Sequence, residues 1–93
     1  PVYFYSMDGQ LKTLIDRTLP RYTEIRDKEV YFIATAAAGR GAMERTADAM
    51  RGFTDCLPGA EVKGVVYGSG VYQKGEVMDT KAFQEAYQLG KKV

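Results

Sequence analysis

The chain has 93 residues, which limits it to one small domain close to the size at which a core is barely sufficient and excludes a large enzyme. Thirteen basic and twelve acidic side chains leave a net charge of +1, and the signs alternate in stretches such as RTLPRYTEIRDKE, so no nucleic-acid or acidic-surface partner is implied. With a single cysteine, Cys56, and no histidine, thiolate or imidazole zinc sites, Ser-His-Asp and Cys-His nucleophiles and internal disulfides are excluded, and the lone thiol fits a reducing cytoplasm.

PVYFY, residues 1–5, reads as the exit of a strand. Met7, Leu11, Leu14, Ile15 and Leu19 then recur at helical spacing, with Lys12, Asp16 and Arg17 opposite. Ser6 or Asp8 is placed to cap this helix, and Pro20 to end it. EVYFIAT, residues 29–35, is almost continuously apolar and β-branched or aromatic, the pattern of a parallel strand covered on both faces. The apolar run from Val30 to Ala38 is too short to span a bilayer, so no membrane partner is expected.

AAAGRGA, residues 36–42, is a loop of small residues leading into a helix whose core stripe is Met43, Ala47, Met50, Phe53 and Leu57, stopped at Pro58 and Gly59. EVKGVVYG, residues 61–68, reads as a second strand, with Lys63 and Gly64 suggesting an edge. A long loop follows. Asp79 or Thr80 is placed to cap a last helix bearing Phe83, Ala86, Tyr87 and Gly90 on one stripe. Strands alternating with amphipathic helices predict a parallel α/β sheet, but two strands are too few to cover their own apolar faces. The expectation is therefore half of an open doubly wound domain, completed by another segment or by self-association.

Three features bear on chemistry. Gly39-Arg40-Gly41 sits between a strand and a helix as a dinucleotide fingerprint would, but Glu44 occupies the third glycine position, where a carboxylate repels a pyrophosphate. A flexible turn, or a backbone surface for a flat ligand, remain the other readings. Ser6 and Ser69 lack both G-x-S-x-G and a histidine base, so neither reads as a nucleophile. Tyr3, Phe4 and Tyr5 are either the end of a buried strand or a platform for a planar cofactor, since ligands of doubly wound folds sit beyond the carboxyl ends of strands.

PVYFYSMDGQLKTLIDRT, VYFIATAAAGRG and KGEVMDTKAFQEAYQLGKK together resemble the carboxyl-terminal half of the flavodoxin-like NAD(P)H-dependent FMN reductases, a family that also holds quinone reductases and iron-sulfur flavoproteins. The first block is the specific part, and the resemblance covers nearly the whole chain. It implies an α/β fold with an open five-stranded parallel sheet of order 2-1-3-4-5 and helices on both faces. Residues 1–93 would be the C-terminal half of that domain, with about two strands and three helices and without the family's Ser/Thr-rich phosphate loop. Carried over by resemblance, Pro1, Val2, Tyr3, Phe4, Tyr5 and Ser6 contact the flavin, as do Thr35, Ala36 and Gly39. The implied cofactors are FMN and NAD(P)H, and the implied reaction passes a hydride through the flavin to a flavin, quinone or similar small planar acceptor. An FMN-binding electron carrier and a cofactor-free, self-associating fragment are the alternatives, and a homo-oligomer is expected from the unpaired side of the sheet.

Overall fold

The first seven residues double back on themselves. In a computed structural model describing residues 1–93, β1 (Val2–Tyr3) pairs antiparallel with β2 (Ser6–Met7), in the register Val2 to Met7 and Tyr3 to Ser6. The strand exit read from the sequence is thus a tight hairpin. Phe4 and Tyr5 form its turn with φ of 52° and 64°, the positive values that a two-residue hairpin loop demands at both central positions. Gly and Asn, the usual signals, are absent there.

Asp8 caps α1 (Gly9–Arg17) by accepting the Leu11 N–H at 3.4 Å, while Ser6 is held in β2. Thr18 closes the helix by donating its hydroxyl to the Ile15 carbonyl at 2.7 Å. Pro20 lies in the first turn of a 3₁₀ helix, Leu19–Glu24, where its missing N–H costs nothing.

β3 (Glu29–Thr35), α2 (Arg40–Asp55) and β4 (Glu61–Gly68) follow, with the two strands parallel along their whole length. The register steps between Val30 and Tyr31, so that Val30 faces Val62 but Tyr31 faces Gly64. Lys63 is the extra residue of this bulge, and the step keeps the apolar side chains of both strands in phase. On one face Phe32 packs with Ala47 and Met50 of α2, bordered by Met7, Leu11, Val30, Val62 and Val65; Ala34 and Ala36 pack with Met43.

A short 3₁₀ turn, Glu76–Asp79, leads to α3 (Lys81–Gly90), capped by Thr80, whose hydroxyl accepts the Phe83 N–H at 3.4 Å. This helix lies on the opposite face. Gly64 makes the close approach possible: a Cβ there would stand 2.8 Å from Cδ2 of Leu89 and 3.4 Å from the Tyr31 ring. Contact with so flat a patch selects Ala82, Ala86 and Leu89 as the inward stripe. Phe83 and Tyr87, expected on that stripe, are exposed instead, and the Lys91 ammonium rests over the Tyr87 ring at 5.3 Å.

One side remains open. β3 pairs only with β4, Ile33 and Leu14 are each 62% exposed, and no residue of α1 is fully buried. Between α1 and β3 runs an apolar groove of about 510 Å³, lined among others by Leu11, Leu14, Phe32, Ile33 and Phe53. No helix is long and apolar enough to cross a membrane.

Candidate cofactor crevice

Because β3 and β4 run in the same direction, both release their chains at one end of the sheet, and the segments after them meet there. Ala36 locks the junction. Its N–H donates to the Gly68 carbonyl at 3.0 Å, and its own carbonyl accepts the Val71 N–H at 3.0 Å. Gly70, with φ of 67°, turns the chain so that its N–H reaches the Ala38 carbonyl at 3.3 Å.

The hairpin β1–β2 stands beside this junction and completes a crevice of about 440 Å³, a volume ordinary for a small-molecule site. Pro1, Val2 and Tyr3 form one wall, Thr35, Ala36 and Ala37 the floor, and Val71, Tyr72, Gln73 and Val77 the other wall. No charged side chain lines it. The N–H groups of Ala37, Ala38 and Gly39 donate to no group of the chain, which leaves three consecutive donors at the floor's margin, free of bulky side chains.

Of the nine residues carried over by resemblance, Pro1, Val2, Tyr3, Thr35 and Ala36 meet in this crevice. The other four do not line it. Phe4 is fully exposed at the hairpin tip, and the Tyr5 ring lies under the Arg45 guanidinium at 4.7 Å. Ser6 is paired in β2, and Gly39 is the N-cap of α2, its carbonyl accepting the Ala42 N–H at 3.3 Å. The turn explains the first two: their left-handed backbone rotates Phe4 and Tyr5 out of the line of Tyr3. Arg40 is drawn away from the crevice as well, bonded to Glu44 at 3.0 Å and stacked over Tyr67 at 4.7 Å.

The second wall is absent from the sequence reading. Glu76 organises it: one carboxylate oxygen accepts the N–H of Tyr72 at 2.9 Å and of Gln73 at 2.8 Å. These two bonds, Tyr72 first, hold the Glu76 carboxyl below its ordinary range, with slight desolvation opposing. A glutamate three and four residues after the groups it binds leaves no distinctive pattern; the turn signals Gly70 and Gly75 are the only trace.

A crevice beyond the carboxyl ends of parallel strands, with an aromatic wall and a backbone-rich floor, defines a cofactor-binding α/β domain. Residues 1–74 match the family described as NADPH-dependent FMN reductase, and the chain belongs to that family. Members use FMN, with NADPH as the electron donor, which makes the chain part of an NADPH-dependent oxidoreductase family. Comparison with curated proteins and with solved structures found no match.

The residues present fit the ring of FMN. Flat apolar walls suit the isoalloxazine, and the free N–H of Ala37 suits its carbonyl-rich edge. No charged side chain of the lining is placed to hold the phosphate.

Proposed function

We propose that this chain carries the ring-binding part of the FMN site of an NADPH-dependent reductase whose acceptor is a flavin, a quinone or another small planar molecule. The observation that carries the reading is that Tyr3 and Ala37, whose N–H donates to no group of the chain, line one crevice that holds no charged side chain. Bound there, the flavin would supply the hydride chemistry itself. The chain's part is to present a stacking surface at Tyr3, a donor at Ala37 and a floor of small side chains at Thr35 and Ala36. No acid or base of the chain is needed, in keeping with a lining without titratable carboxylate, amine or imidazole side chains.

The same reading assigns the chain to the C-terminal half of a flavodoxin-like domain, with a further parallel strand lying along the free edge of β3. Support comes from the bare edge itself, from exposed Ile33 and Leu14, and from helices already seated on both faces of β3–β4. Right-handed crossover geometry puts a strand parallel to β3 beneath α1, where Leu14 and Ile33 are left exposed. Association of two copies through this edge is the second reading, favoured by the same exposed residues. Exposed Cys56 with no second thiol suits a cytoplasmic setting.

Absorbance titration of the full chain with FMN, then addition of NADPH, tests the assignment. A saturable shift of the flavin band followed by bleaching is expected; a band that never shifts contradicts it, and a shift without bleaching points to an electron carrier.

A further inference from the structure

A reductase that uses one crevice for a bound ring and a second planar molecule needs a surface for each. The family's chemistry does not say which residues of this chain serve the second. Tyr3 and Tyr72 stand on opposite walls of the crevice and are both largely exposed, at 62% and 82%. An aromatic so bare is ordinarily found on a loose loop, yet the backbone around Tyr72 is fixed on both sides. Val71 is bonded to Ala36 at 3.0 Å, and the N–H groups of Tyr72 and Gln73 share the Glu76 carboxylate. Gly75, with φ of 81°, makes the turn that returns Glu76 to them. The ring is thus presented on a braced backbone without being packed, an arrangement that gives a ligand a stacking face at little ordering cost.

We propose that Tyr72 is the wall on which the second, electron-accepting planar molecule stacks, and that the acceptor class is neutral, flat and aromatic. The neutral class rests on the side chains of the lining, none of which is charged and so able to pair with an ionic acceptor. Gln73, beside Tyr72, offers the one side-chain amide of that wall, able to meet a ring carbonyl. The inference rests on the proposed function, since Tyr72 can face a second ring only if a flavin occupies the Tyr3 side.

Equilibrium dialysis of the full chain tests it, with riboflavin as the first ligand and 1,4-naphthoquinone as the second, added to riboflavin-saturated protein. Wild type, Tyr72→Ala and Tyr72→Phe are compared, with circular dichroism confirming that each is folded. Tyr72→Ala is expected to raise the naphthoquinone dissociation constant about 3- to 10-fold, the scale of one aromatic stacking contact, with riboflavin affinity unchanged. Tyr72→Phe is expected to retain wild-type naphthoquinone affinity, because the ring and not the hydroxyl makes the surface. Unchanged naphthoquinone affinity in Tyr72→Ala overturns the proposal while leaving the flavin reading intact. An equal loss of riboflavin affinity also overturns it, by making Tyr72 a flavin contact. A wild-type chain that binds no riboflavin overturns both.

Discussion

Phe4 and Tyr5 are consecutive residues in the left-handed region, with φ of 52° and 64°, and they place Tyr3 directly opposite Ser6 in the hairpin. Each costs about 1–2 kcal/mol relative to an ordinary conformation, and Phe4 recovers none of it by packing, being fully exposed. Phe4→Gly is therefore expected to stabilise the chain by about 1 kcal/mol, read as a higher urea midpoint with an unchanged slope. A lower midpoint would show that the Phe4 ring has a contact that supports the fold.

The Glu76 carboxyl is held below its ordinary range by the N–H groups of Tyr72 and Gln73. A depressed carboxylate contributes its full support above its unfolded pKa and loses it as pH falls through the lower folded value. The loop is thus expected to stay closed at neutral pH and down through the ordinary carboxylate range near ~4.3, opening only below it. Amide proton shifts of Tyr72 and Gln73 followed against pH should titrate together with a midpoint under that range. In Glu76→Gln the titration should vanish. A midpoint at or above the ordinary value would contradict the bonding.

Gly59 follows the end of α2 with φ of 71°, and a Cβ there would run into the carboxylate of Asp27, itself left-handed at φ of 54°. Asp27 donates its N–H to the Pro58 carbonyl at 2.8 Å, and Glu61 donates to the Lys28 carbonyl at 2.9 Å, so this corner starts both strands in register. Gly59→Ala should destabilise the chain by at least about 1–2 kcal/mol, seen in chemical denaturation, with secondary-structure content retained.

The crevice proposed for the ring holds no charged side chain to grip a phosphate. Riboflavin and FMN should consequently bind the 93-residue chain with dissociation constants within about threefold of each other, the phosphate adding less than one net hydrogen bond. Tyr3→Ala should weaken both by about 3- to 10-fold, the loss of one stacking contact. FMN bound a hundredfold more tightly than riboflavin would place a phosphate site on this chain.

Both long strands were legible from sequence to the residue, because EVYFIAT and EVKGVVYG carry β-branched and aromatic runs bounded by polar turns. The parallel pairing followed from the helix between them. The hairpin was not legible, since Phe4-Tyr5 contradicts every turn preference and only the surrounding structure enforces it. On α3, periodicity favoured Phe83 and Tyr87, but the contact with Gly64 admits small residues and one leucine, and so turned the helix to Ala82, Ala86 and Leu89. Half of the crevice was readable from the family block at Pro1 to Tyr3 and the small-residue loop at Thr35 to Ala37. The Val71 to Val77 wall was hidden because a side chain bonding to backbone builds it, and that leaves no periodicity.

The central claim is that the ring of a flavin sits at the carboxyl ends of β3 and β4 and not in the larger apolar groove between α1 and β3. Amide chemical shifts of the full chain, recorded during a riboflavin titration, separate the two sites directly. Saturable shifts at Tyr3 and from Ala36 to Gly39, with Leu14 and Ile33 unmoved, are the predicted result. Shifts centred on Leu14, Ile33 and Phe53, or none at all, would contradict it.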